Sequence, residues 1–198
     1  MNGRIVILNG APRAGKSSIA AAVMRLPGQW INLGVDEMRK RTPDNLQPGI
    51  GLRPGGERPD LEPAIQRLYR ELYGDIARNA RGGFDVVVDV GHHDWYSRPL
   101  GILPASARQL SGLPVLFVGV RCPVDVIMAR RNAAPDGYVA GPGVPEPVAR
   151  WQQAVHQPGL YDLEVDSSLL TPEQAAKTIA AALAAPPSPS AFERLARQ

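Results

Sequence analysis

Nine residues near the start have the types and spacing needed to hold a phosphate chain. Gly10-Ala11-Pro12-Arg13-Ala14-Gly15-Lys16-Ser17 fits G-x-x-x-x-G-K-[ST], and Ser18 follows it. Glycines at both ends let the backbone curl until its N–H groups point inward at phosphate oxygens. Lys16 adds a compact positive charge for the β and γ phosphates. Ser17 offers a hydroxyl to Mg²⁺. The stretch Gly10 to Ser18 is therefore the expected contact surface for ATP. The apolar run Ile5-Val6-Ile7-Leu8 before it and Ile19-Ala20-Ala21-Ala22-Val23-Met24 after it supply the strand and helix that such a loop requires.

Two carboxylates stand where they could complete the chemistry. Asp36 follows a short apolar stretch ending Gly34-Val35. An ionised Asp beside the γ-phosphate can accept the proton of an acceptor hydroxyl. The same residue could also cap a helix over Glu37 to Lys40 or sit in a surface turn. Asp89 closes Val86-Val87-Val88 and is placed to hold Mg²⁺ with Ser17; the competing role is a cap on the following turn. His92 and His93 come next. Adjacent histidines point apart and no third or fourth ligand is evident, so they suit a substrate pocket better than a transition metal. Arg130 and Arg131 precede a Pro- and Gly-containing segment, where arginines can close on a transferring phosphoryl group; the alternative is a solvated helix face. Cys122 reads as a small buried filler without a base beside it.

These residues need a scaffold, and the periodicity provides one. Strands are expected over Arg4–Asn9, Gln29–Val35, Phe84–Val90, Pro114–Arg121 and Leu160–Val165. Helices are expected from Ser17 to about Arg25, then over Leu61–Arg81, Leu103–Leu110, Pro123–Arg131 and Val148–His156, with a last one opened by Thr171-Pro172-Glu173-Gln174. Ile65, Leu68, Leu72 and Ile76 recur at threes and fours, giving the second helix one apolar face. Alternating strands and helices argue for a three-layer α/β/α domain around a five-stranded parallel sheet. Ligands of such sheets gather at the carboxyl ends of the strands, where Gly10, Asp36, Asp89 and Arg121 all fall. The expected organisation is one domain over residues 1–185 with a lid-like insert near 132–147. The Pro-rich segment 186–198 is expected as a flexible tail that can hold one helical turn, and Arg41–Pro59 as a long Pro- and Gly-rich loop.

Composition narrows the function classes. With 198 residues, 44% hydrophobic and 21% charged, the chain can bury a full core. Its net charge is +3, and basic residues are not interleaved with aromatics, so nucleic acid is not an expected partner. A single cysteine excludes an internal disulfide framework and fits a reducing compartment. No apolar run reaches membrane-spanning length, and the first strand reads as core rather than as a cleavable signal. The expected location is the cytoplasm. A homo-oligomer is compatible with the helix faces, which do not fix the oligomeric state.

Several motifs together resemble one family. Leu8-Asn9-Gly10 leading into Ala14-Gly15-Lys16-Ser17-Ser18, then Gly34-Val35-Asp36, Val118-Gly119-Val120-Arg121-Cys122-Pro123, and His156 with Tyr161-Asp162-Leu163-Glu164-Val165-Asp166 are similar to the chloramphenicol phosphotransferase-like proteins. The likeness spans the chain in order up to the last helix. It implies a P-loop kinase fold related to nucleoside monophosphate kinases. It also implies transfer of the γ-phosphate of ATP to a hydroxyl of a small molecule, with chloramphenicol or a related antibiotic as the acceptor and antibiotic resistance as the consequence. The residue matching the family's base is Asp36. The chain departs from the family in two places: Val90 follows Asp89 where a second acidic residue is usual, and Ala134-Pro135-Asp136-Gly137 stands where an Arg-Gly-Asp-Arg lid is usual. The alternatives are a nucleotide or sugar-acid kinase, or an ATP-binding regulatory module with little catalysis.

Overall fold

A computed structural model describes residues 1–35, 43, 53–133 and 143–198. Five strands form one sheet: β1 (Ile5–Asn9), β2 (Trp30–Asn32), β3 (Asp85–Val90), β4 (Val115–Arg121) and β5 (Leu163–Asp166). Their spatial order is β2-β3-β1-β4-β5, and every pairing is parallel. The expected α/β architecture is what forms. β1 lies at the centre and pairs with both β3 and β4, in register Leu8↔Asp89 and Asn9↔Gly119. This register brings the carboxyl ends of the three central strands level with one another, and the phosphate loop leaves from the middle one.

Helices cover both faces, which is why the central strands read as unbroken apolar runs rather than alternating ones. They are α1 (Lys16–Val23), α2 (Glu62–Arg81), α3 (Ile102–Gln109), α4 (Val124–Ala133), α5 (Glu146–Ala154), α6 (Pro172–Ala184) and α7 (Ala191–Ala196). On one face Ile5, Ile7, Val86, Val88 and Phe117 pack with Tyr73 and Ile76 of α2 and with Phe192 and Leu195 of α7. On the other, Val6, Leu8, Val87, Leu116 and Val118 pack with Ile19 and Val23 of α1 and Ile179 of α6. Thr171 and Gln174 close the expected capping box on α6. Asp85, the one charge near the start of a buried strand, is neutralised by Arg4, whose guanidinium lies 2.6 Å away and holds that carboxyl below its usual range.

Three expectations shift. β2 covers only Trp30–Asn32, shorter than the apolar stretch suggested. β5 starts at Leu163 rather than Leu160, because Tyr161 and Asp162 are used otherwise. The Asp162 carboxylate accepts Phe117 N and Ala191 N, tying β4 and the start of α7 together. The third is the segment 186–198, expected as a flexible tail. It instead carries α7, capped by Ser190 and Glu193, with Ala191, Phe192 and Leu195 buried. Pro186-Pro187-Ser188-Pro189 breaks the chain only long enough for it to turn back onto α3 and β4. Of the Pro- and Gly-rich loop, residues 41, 42 and 44–52 lie outside the described residues; so does 134–142 of the lid-like insert. No helix among the described residues is long and apolar enough to cross a membrane.

Candidate active site

Sterics dictate the shape of the phosphate loop. Gly15 stands at φ 89° and Arg13, unusually for a residue with a side chain, at φ 65°. Left-handed backbone at alternating positions turns successive N–H groups to the inside of the curl. Gly15 is also the N-cap of α1, which has no side-chain cap and no acidic residue in its first turn. The helix therefore presents its first N–H groups and the positive end of its dipole to an anion. The Lys16 ammonium donates to Gly10 O and Ala11 O, each at 2.9 Å, and so lies along the loop. A phosphate seated in the curl can take over those bonds.

Ser17 Oγ donates to Asp89 Oδ2 at 2.7 Å. Seventy-two positions separate the two residues in sequence, and the parallel pairing of β1 with β3 brings them together. A hydroxyl and a carboxylate so placed are hard oxygen donors of the kind that would hold Mg²⁺. Among the described residues no group of three or more His, Cys, Asp or Glu could hold a metal ion. β2 leads to the same spot: a Cβ on Gly34 would fall 1.9 Å from Asp89 Oδ1, so the bare backbone is what lets the two strands' ends meet. Asp36, the expected base, lies outside the described residues.

Arg130, expected at a closing lid, is found on the outer wall of the loop. Its Nη1 reaches Arg13 O at 3.3 Å and Ser167 Oγ at 3.1 Å, and its Nη2 reaches Ser167 O at 2.7 Å. It thus ties the end of α4 and the turn after β5 to the phosphate loop. Arg131, half-buried, stands beside it on the same helix. Cys122 is buried with Arg130 Nη1 at 3.4 Å, consistent with a packing role.

On the far side of Asp89 the exit of β3 forms a wall that the sequence only hinted at. The His92 and His93 side chains diverge, as adjacent residues in extended chain do. His92 is buried against Tyr69 and Tyr73, with its Nε2 2.7 Å from Tyr73 Oη. Burial, and then the neighbouring His93, push its pKa down to about 3, so it is neutral at physiological pH. His93 is buried between Tyr96, at 4.3 Å between ring centres, and the edge of Trp151 at 5.1 Å. Trp151 comes from α5 and lies over Gly91. Glu62, buried at the start of α2, accepts from Ser97 N and Oγ, and Asp94 accepts from the Leu100 and Gly101 amides, so this loop is pinned at several points. Arg150 of α5 bonds Glu57, Glu146 and Pro54 O, closing the outer rim.

The residue least visible to sequence reasoning is Asn9, which is 1% exposed. Its Nδ2 donates to Val155 O at 2.8 Å and to Tyr161 Oη at 2.9 Å, and its Oδ1 accepts His92 N at 2.7 Å. Tyr161 lies flat across Gly119, where a Cβ would come within 2.7 Å of the ring. Its hydroxyl, which accepts from Asn9, also lies 2.8 Å from His156 Nδ1. Burial first, then Arg121 and more weakly Lys16, push His156 down to about 4. An Asn ending an otherwise apolar strand was the available signal.

A model of chloramphenicol phosphotransferase-like proteins matches residues 3–184. The chain belongs to that family. A Mycobacterium tuberculosis protein named "Putative O-phosphotransferase Rv2636" is 25% identical over 99% of this chain and 89% of its own length. Among solved structures, a sugar kinase from Janibacter sp. HTCC2649 superposes with a TM-score of 0.61 at 18% identity, covering 95% of this chain and 98% of that one. The APS kinase CysC of Mycobacterium tuberculosis, in complex with AMPPNP and APS, superposes at 0.59 and 18% identity, covering 90% and 96%. At such identities the likeness shows a shared P-loop kinase fold, and the family is one of phosphotransferases.

Proposed function

We propose that this family member is an ATP-dependent O-phosphotransferase that moves the γ-phosphate to a hydroxyl of a small molecule. The observation that supports this reading best is the contact of Ser17 with Asp89 at the mouth of the Lys16 loop, which sets a hydroxyl, a carboxylate and an ammonium where a magnesium nucleotide would need them. The loop amides and Lys16 hold the phosphates and balance the charge that develops on them. Ser17 and Asp89 would hold Mg²⁺, and the chemistry such an ion would supply is withdrawal of electron density from the phosphate oxygens. Asp36 accepts the proton of the attacking hydroxyl. Its support is the chain that precedes it: Gly34 lies directly against Asp89, and Asp36 is two residues further on. Arg130 and Arg131 act from α4, with Arg130 holding the loop through Arg13 and Ser167. The acceptor lies against the His93–Trp151 wall, and chloramphenicol and related hydroxylated antibiotics are the first acceptors to try. A nucleotide or sugar-acid kinase would use the same donor site. The reading as a nucleotide-binding module with little catalysis is favoured by one feature, the absence of arginines at Ala134-Pro135-Asp136-Gly137.

The test is ADP release from ATP with a panel of hydroxylated antibiotics, nucleosides and sugars. An acceptor-dependent rate is expected, and Asp36→Ala should lower it about a hundred- to ten-thousandfold while nucleotide still binds. Full transfer activity in that variant would remove Asp36 from the mechanism. No acceptor dependence across the panel would favour the binding module.

A further inference from the structure

The side chain of Asn9 sits between the first glycine of the phosphate loop and three segments that come from elsewhere in the chain. Two of its bonds fix its orientation: Val155 O can only accept and His92 N can only donate. Rotating the amide by half a turn would set oxygen against oxygen and N–H against N–H, so one arrangement is allowed. Every hydrogen of the amide is used, at a buried position where a lost partner is costly. The three partners carry different parts of the site. His92 leads into the loop that bears His93, Tyr96 and the acceptor wall. Val155 ends α5, the helix that follows the lid-like insert. Tyr161 leads into β5, and its hydroxyl lies 2.8 Å from His156 Nδ1.

We propose that Asn9 is a positioning residue, a three-way tether that holds the acceptor wall and the base of the lid-return helix in one register with the phosphate loop. Its neighbour Gly10 moves with it, and Gly10 N itself bonds Val90 O at the exit of β3. Curling of the loop around a nucleotide is therefore felt at His92 and at Val155, which lie beyond the loop itself. The idea rests on the nucleotide reading given above, and it concerns coupling rather than the chemistry.

Hydrogen exchange with and without a nonhydrolysable ATP analogue tests it on the full chain. In the unaltered protein, nucleotide should slow exchange at Gly10–Ser17 and also, about tenfold, at His92–Tyr96 and Val155–Tyr161. Asn9→Leu should keep the first effect and lose both of the others. Tyr161→Phe deletes one hydroxyl while keeping the ring on Gly119. It should lose the effect at Leu160–Tyr161 and keep it at Val155, which Asn9 holds directly, and at His92–Tyr96, an arm-specific result that general loosening of the fold would not give. If loop protection appears in the unaltered protein and does not spread, or spreads equally in both variants, the tether is wrong while the nucleotide reading stands. If nucleotide protects nothing, both fall together.

Discussion

In the site proposed above, the donor and acceptor halves are built by different means. The donor half is mostly backbone and contiguous. Nine residues in a row make the loop, a strand before it and a helix after it aim the loop, and one further residue, Asp89, completes it. The proposed acceptor half is mostly side chains, gathered from the exit of β3, the start of α2, α5 and the segment before β5. Backbone geometry tolerates little variation, because phosphate is the same in every nucleotide. Side chains on pinned loops can be exchanged one at a time, which is how one fold serves different acceptors.

The sharpest way to break this contrast is at Lys16. Lys16→Ala should abolish turnover, by on the order of a thousandfold or more, since a preorganised charge on the transferring group is lost; steady-state kinetics with any acceptor checks it. Near-normal rates would remove the loop from the chemistry. A smaller and differently directed effect is expected on the other side. Trp151→Ala should raise KM for the acceptor roughly tenfold and leave nucleotide affinity unchanged, because it opens the wall beside His93 and touches no donor group. Equal losses in both affinities would show the two halves to be one unit.

The smallest expected effect is on stability against pH. His92 is held near pKa 3 in the fold and reverts toward the ordinary imidazole value when unfolded. The unfolded chain then binds more protons between those limits. Stability is full above about pH 6.5 and falls as the pH drops, by on the order of a few kcal/mol near pH 4. His156, depressed to about 4, adds in the same direction. Thermal melts from neutral pH downward should show the decline, and His92→Gln should make it shallower; an unchanged slope would mean that His92 is not the group that titrates.

Much of this was legible in the chain. The apolar runs and glycines marked all five strands, and the octet marked the donor site, because both depend on local rules of pattern and φ. Asp89 could be paired with Ser17 because parallel strands bring their carboxyl ends together. What was not legible depends on contacts between distant segments. Asn9 looked like the end of a strand, since nothing in Leu8-Asn9-Gly10 says that Val155 and Tyr161 will arrive beside it. Phe192 and Leu195 were too few to show a helical period, yet the face left open by α2 and α3 gives them a place to bury. Arg130 was read toward the lid from its position before a Pro- and Gly-rich segment, whereas its bonds run to Arg13 and Ser167.

Phosphorus NMR of ATP with this chain, magnesium and an acceptor hydroxyl tests the central claim most directly. The account predicts that the γ-phosphate signal declines as a phosphomonoester resonance grows in step with ADP. ATP left intact with every acceptor, or converted to ADP and inorganic phosphate alone, would contradict it.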